Sequence, residues 1–418
     1  MTTPTTPTTP TSAVVDTTAV KQQLADSVLY GQRIAAWCQS IMNASVQATT
    51  ATWYTTFVAN LKIAQQHATT YTSYIGPDAW TVIPTALQTY GQQHALTLQA
   101  LADIIAKYAP PTPKGEKPVT VSITPWSMDD ITMAVSYLQA LSQQLTALVG
   151  DATSTTLSNL PDASGNTPAQ ETVTGLRNDL RTFHNNIVSD NQNLTQGKDG
   201  AAKQVSLLTA DEQKMNDAIT SLNQQIEQWD NDITISGSGL GLSLIMMVAG
   251  FALGAATGGV GAIVVGCFAV LGAAGSATSL GIFNTKVGDA QSQIIADNSE
   301  LTSDQQQVAA LNVIINAFNV LQTHNLAAQQ AVESSLDFFT DLAAKITTLV
   351  NDMQKGIEQG KSAISNKSVL GSGLLDMDSN LTIEAWNDLA QYAGNLTSNP
   401  LPQVTINVPS AGTTGTPS

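Results

Sequence analysis

The sequence predicts an all-α fold: an elongated antiparallel bundle of long helices, the tail, with a small head carrying a hydrophobic hairpin. Three observations lead there. Apolar residues recur at spacings of three, four and seven through two long stretches, the mark of helix faces packed on one another. Between those stretches lies a run of about 53 residues, positions 233–285, without one charged side chain. The remaining periodic segments are short enough to fold back on the long ones, and Pro, Gly, Asp and Ser clusters punctuate them.

Taken in order, residues 1–14 form a Thr/Pro-rich start expected to be disordered. Residues 15–232 make the first part of the tail. A helix is expected from Thr17 to about Tyr74, with Leu24, Val28, Ile34, Trp37 and Ile41 on its apolar side and Gly76-Pro77 ending it. A second runs from Ile83 or Pro84 to Tyr108, ahead of a Pro-rich linker. Val119 to Ile123 alternates like a short strand without an obvious partner, and a third helix covers Ser127 to Leu148. Thr167 then reads as a helix cap, with Pro168 at the first helical position. The seam that follows includes Leu176, Leu180, Phe183, Ile187 and Leu194, slips once across Gly197 to Gly200, and resumes through Met215, Leu222 and Trp229. It spans about 65 residues, or roughly 95 Å at ~1.5 Å per residue. After the apolar run, residues 286–398 return as a second long helix to about Gln359 and a closing helix holding Trp386, Leu389 and Tyr392. Two long helices bracketing one hairpin must be antiparallel neighbours. Residues 399–418 are again a tail of disordered character.

The uncharged run is more than twice the ~20 apolar residues a single spanning helix needs. It divides at Thr257, Gly258 and Gly259, a strong turn signal, so each half is long enough to cross a hydrocarbon core once. The residues expected to insert are Leu240, Leu242, Leu244, Ile245, Met246, Met247, Val248, Phe251 and Leu253 before the turn. After it come Val260, Ile263, Val264, Val265, Phe268, Val270 and Leu271. Gly250, Gly254 and Gly258 recur every fourth residue, the small-residue spacing that lets helices approach closely in lipid. Gly237 and Gly239 on one side, and Gly281 and Gly288 on the other, are candidate hinges. A buried core hairpin is disfavoured because so much Gly and Ala fills a core poorly. A permanent anchor is disfavoured because Asp230, Asp232 and Lys286 flank the run and give no positive-inside signal. Conditional insertion is the favoured reading.

A net charge of −16 argues against nucleic acid as a partner and against electrostatic capture by anionic lipid, so membrane affinity has to come from apolar burial. The two cysteines, Cys38 and Cys267, make no disulfide framework. The start MTTPTTPTTPTS has neither a charged n-region nor an apolar h-region, so no export route is legible in it. His67, His94, His184 and His324 stand far apart and match no metal-ligand spacing, and His184 reads as a solvated helical histidine. Neither a phosphate-binding Gly-rich loop nor a nucleophile elbow occurs. No enzyme, cofactor or metal is expected.

Two local motifs add to this layout. Asp179-Leu180-Arg181-Thr182-Phe183-His184-Asn185-Asn186, followed by Asp190-Asn191-Gln192-Asn193, resembles the DLKTF-type helix of the bacterial α-helical pore-forming toxins. These are the haemolysin BL and non-haemolytic enterotoxin components and, more distantly, cytolysin A. Ala385-Trp386-Asn387-Asp388-Leu389-Ala390-Gln391-Tyr392-Ala393 resembles that family's closing helix. The resemblance covers residues 167–396; the Thr/Pro start and the 109–126 insertion depart from the pattern. It implies a secreted toxin or toxin component whose hairpin stays sheltered until it meets a target-cell lipid membrane. The chain then forms a homo-oligomeric pore, alone or with other toxin components. A non-lytic membrane-anchored coiled-coil scaffold or receptor stalk is the alternative. Small-angle scattering should return an elongated envelope for the soluble chain; a near-spherical one would contradict the two long seams.

Overall fold

Helix α1 (Thr17–Asn43) buries Val28, Ile34, Trp37, Cys38 and Ile41 along one side, and α2 (Thr52–Thr70) buries Trp53, Phe57, Leu61, Ala64 and Ala68 at steps of three and four. The computed structural model describes residues 17–44, 52–76, 83–108, 127–151, 172–204, 245–253, 263–271, 303–358 and 383–398. Its further helices are α3 (Ile83–Tyr108), α4 (Met128–Val149), α5 (Val173–Gln204), α6 (Ser303–Glu358) and α7 (Ile383–Ser398). Strands β1 (Ile245–Leu253) and β2 (Ile263–Leu271) complete the described elements. The expected strand at 119–123, the seam from 205 to 232 and both chain ends lie outside the described residues.

Local chemistry sets the helix ends. Ser127 caps α4, its Oγ accepting from the Asp130 amide at 3.1 Å, and Gly150 closes that helix at φ 76°, a conformation that favours glycine. The Thr172 hydroxyl accepts from the Gly175 amide at 3.0 Å at the start of α5, and the expected cap at Thr167 lies outside the described residues. The Thr172 Oγ thereby satisfies one of the orphan N–H groups of the first helical turn. The expected single helix from Thr17 to Tyr74 is two helices. Residues 45–51 hold no Gly or Pro to announce a break. The reversal is held instead by Gln65, whose Nε2 donates to the carbonyls of Ile41, Met42 and Ala44 at 3.2, 3.2 and 2.8 Å. A π-helical turn, Tyr71–Ile75, follows α2. The long return helix is found, continuous over 56 residues.

The described chain forms two compact units. One comprises Ala25–Ile83, Ala152–Glu333 and Asn395–Ser418, and so holds most of α1, all of α2 and α5, the strands, and the first part of α6. Its helices alternate in direction. Along α2 and the π-helical turn after it, residues 57, 60, 67 and 71 meet residues 197, 193, 190 and 183 of α5, and along α6 residues 319 and 329 meet 191 and 180. Tyr71, fully buried, stacks obliquely on Phe183 at 4.7 Å and donates its hydroxyl to the Gly31 carbonyl at 3.0 Å. The other unit comprises Met1–Leu24, Pro84–Asp151 and Ser334–Gly394. Its core takes Leu87 and Leu101 from α3, Ala134, Leu138 and Leu145 from α4, Phe339, Ile346 and Met353 from α6, and Trp386 and Leu389 from α7.

Gly197 shows what the slip at 197–200 is for. A Cβ there would lie 2.9 Å from Phe57 Cδ2 and 3.1 Å from Phe57 Cβ, and Phe57 is completely buried. The bare backbone is the seat for that ring. Replacing Gly by Ala in a helix interior ordinarily gains up to ~1 kcal/mol, whereas overpacking a filled core costs about 1–3 kcal/mol. Gly197→Ala should therefore lower stability by roughly 1 kcal/mol, read from the urea midpoint. A rise in stability would show that the ring is free to move aside.

Candidate functional site

The expected hairpin is present, and in this structure it is a β-hairpin. Strands β1 and β2 pair antiparallel over their full nine residues. Ile245 stands opposite Leu271, Met246 opposite Val270, Met247 opposite Ala269 and Val248 opposite Phe268. Phe251 pairs with Val265, Leu253 with Ile263, and Val264 with Ala252. The chain reverses between Leu253 and Ile263, an interval that contains Thr257, Gly258 and Gly259. Those three residues, together with Leu240, Leu242, Leu244, Val260, Gly254, Gly237, Gly239, Gly281 and Gly288, lie outside the described residues. Gly250, expected to pack helix on helix in lipid, occupies a strand position here, opposite Gly266. Spanning helices are thus not the form of this stretch in this state, and no helix among the described residues is long and apolar enough to cross a membrane.

The strand form has a local cause. β-Branched and aromatic residues favour the pleated backbone; β2 is rich in them, with Ile263, Val264, Val265, Phe268 and Val270, and β1 adds Ile245, Val248 and Phe251. Ala, Met and Leu at other positions, most of them in β1, favour helix instead, so the preference for strand is narrow. Neither strand carries a polar or charged side chain, Cys267 excepted as a weak donor. Both faces of the ribbon are therefore apolar whatever covers them, unlike a barrel strand, which alternates.

Around this hairpin the rest of the unit is tied by buried polar groups that periodicity alone did not reveal. His67 Nδ1 and Asp190 Oδ2 are 2.7 Å apart between α2 and α5, with the aspartate almost wholly buried. Asn60 donates to the Asn193 carbonyl one turn further along. Farther down, Arg33 lies over the Tyr30 ring at 5.3 Å and His324 is 6.1 Å from that ring. Burial, with the Arg33 charge adding to it, pushes the His324 pKa down to about 3. His184, expected to be solvated, is partly buried beside Asn325; burial lowers its pKa and the Asn325 contact works the other way. Asn325 itself is completely buried and takes Gln329 Nε2 at 2.6 Å. Cys38 is a free, buried thiol that burial pushes well up, away from thiolate chemistry. Among the described residues no group of His, Cys, Asp and Glu is arranged to hold a metal ion. A signal for these groups did exist: Asp190 and His324 stand at core spacings, between Ile187 and Leu194 and between Leu321 and Ala328.

No family model matches the chain, and no curated protein matches it in sequence. Solved structures do match its fold. Soluble SmhB of the tripartite α-pore-forming toxin Smh from Serratia marcescens is 15% identical, with 92% of this chain and 93% of that one covered and a TM-score of 0.57. Motility Associated Killing Factor B from Vibrio cholerae is 13% identical over 93% and 94% of the two chains, with a TM-score of 0.62. The Bacillus cereus HblL1 toxin component is 11% identical over 93% and 99%, with a TM-score of 0.55. The chain has the fold of these proteins along nearly its whole length. At such identities the likeness is one of fold.

The strand register is directly testable. Ala249 is the partner of Cys267, and cross-strand partners lie within the Cα separation a disulfide allows. In a Cys38→Ala background, Ala249→Cys should oxidise to an intramolecular disulfide with Cys267. Val248→Cys, opposite Phe268, should not. Equal crosslinking of the two by mass spectrometry would refute the register.

Proposed function

We propose that this chain is an α-pore-forming toxin component. It is a soluble helical bundle that releases residues 233–285 into a target-cell membrane and assembles into a pore with further copies and partner components. The observation that carries this is the uncharged hairpin, apolar on both faces, within a chain that otherwise carries a net charge of −16. The fold shared with SmhB, Motility Associated Killing Factor B and HblL1 supports it, the first and third being toxin components by name. The protein is released by its source through a route its sequence does not spell out, and its site of action is the target bilayer.

The strand form cannot be the inserted form. In hydrocarbon every backbone N–H and C=O needs a partner within the protein, which leaves only helices and closed barrels. A two-stranded ribbon leaves one edge of each strand unpaired by the sheet. A barrel would need a polar lumen face, and neither face of this ribbon supplies one. Refolded as helices, the halves on either side of Thr257 to Gly259 are each long enough to cross a core of ~30 Å. Gly250, Gly254 and Gly258 then share one helix face and allow close packing. Insertion on this reading converts strand to helix, with Gly237, Gly239, Gly281 and Gly288 absorbing the change of direction.

Asp at Ile245 or Val248, or Lys at Val264, places a charge near mid-bilayer at a cost of ~2.5–3.5 kcal/mol. Such variants should keep the helical circular dichroism of the soluble chain yet release liposome contents roughly a hundredfold less efficiently. Unchanged leakage would exclude the hairpin as the inserting element. The oxidised Ala249→Cys variant should likewise be inert and recover on reduction; leakage with the disulfide intact would defeat the strand-to-helix step. Partner components belong in the assay, since a single chain of a multipart toxin need not lyse alone.

A further inference from the structure

The C-terminal helix is held onto α3 by contacts with no slack. A Cβ on Gly91 would lie 3.0 Å from the Ala390 Cβ and 3.3 Å from the Trp386 carbonyl oxygen. One on Gly394 would lie 2.5 Å from Gln88 Nε2. In the middle of this contact sits an ionisable side chain. His94 is 1% exposed, its ring stacked on Trp386 at 4.2 Å and 28°, and its Nδ1 is 3.0 Å from the Tyr90 hydroxyl. Trp386 is equally buried and meets the Tyr90 ring edge-on at 5.6 Å.

We propose that the docking of α7 on α3 is a proton-operated latch, in which the His94–Trp386 stack persists while the imidazole is neutral and acidification frees the C-terminal helix. Among the described residues, the groups packed around His94 offer its cation no counterion. From α3 itself the neighbour is Tyr90, which burial keeps in its neutral phenol form. From α7 the carboxylates are Glu384 and Asp388, both at exposed positions, and Asp388 is paired with Lys21 of α1. Lys21 also lies over the Tyr392 ring at 5.6 Å. Asp130 of α4 is taken by Lys107, and Asp341 of α6 by Lys345. Burial pushes the His94 pKa from 6.5 down to about 3.

The direction of the effect follows. Once α7 leaves, His94 regains an ordinary imidazole pKa and takes up a proton that the docked form refuses. Docking is therefore at full strength above pH 6.5 and is lost progressively as pH falls from there toward 3. At pH 5 the ratio of released to docked helix should exceed its neutral value by about thirtyfold. Release uncovers Trp386, Leu389, Ala390 and Ala393, an apolar stripe at helical spacing.

Hydrogen exchange of the 383–394 amides in the full chain, corrected for intrinsic rates, reads this ratio directly. Between pH 7.5 and 5 wild type should lose about thirtyfold in protection there, His94→Gln should lose almost none, and His324→Gln should behave as wild type. Unchanged protection in wild type, or the same loss in His94→Gln, would overturn the latch. If His94→Gln fails to fold, the imidazole resonances of wild-type His94 decide. A ring that stays neutral while the 383–394 amides are protected supports the latch, and one that titrates near 6.5 with them still protected refutes it.

Discussion

A strand in a two-stranded sheet satisfies its backbone on one side only, and a bilayer supplies nothing for the other. That constraint governs how residues 245–271 can be used. The segment is apolar on both faces, so water disfavours exposing it, yet its paired form is unfit for lipid. The helices on either side of it in sequence have packed cores. Their polar residues face solvent at ordinary helical spacing, and their cores are filled by Phe57, Phe183, Phe318 and Phe339, all essentially inaccessible. The chain thus divides its stability unevenly, with well-packed helices on either side of a stretch whose backbone pairing is provisional.

The polar groups inside the helical units carry a second constraint. Asp190, Asn325, His94 and His324 are buried, and each sits at a position where an aliphatic residue would pack without electrostatic cost. A buried ion pair or amide network seldom adds net stability over such a residue, but it does penalise any neighbour that fails to match it. His67 with Asp190, and Asn60 with the Asn193 backbone, therefore fix which turn of α2 lies against which turn of α5. Phe57 on Gly197 fixes the depth of the same contact.

Much of this was legible from the chain. The apolar spacing placed α3, α4 and α7 within a few residues and the end of α6 within one, and the uncharged run contains both strands. Fold class came from the two seams and from the resemblance carried by Asp179 to Asn193. The misreadings have physical causes. The break between α1 and α2 depends on Gln65, some twenty residues beyond the carbonyls it meets, and no local signal marks 45–51. Strand and helix are nearly balanced in a segment that mixes Ile, Val and Phe with Gly and Ala, so composition alone does not choose between them. The polar core needed partners more than a hundred positions apart, as His67 and Asp190 are.

Gln65 has one more implication. The carbonyls of Ile41, Met42 and Ala44 are those that the amides of residues 45, 46 and 48 would take if α1 ran on without a break. A single carboxamide with two N–H bonds is shared among the three carbonyls, and Ile41 also accepts from the Ala44 amide at 3.1 Å. The bend is consequently an exchange of donors and not a loss of them, and joining α1 to α2 in one rod would leave none of these acceptors empty. These three acceptors by themselves therefore do not exclude the straight chain.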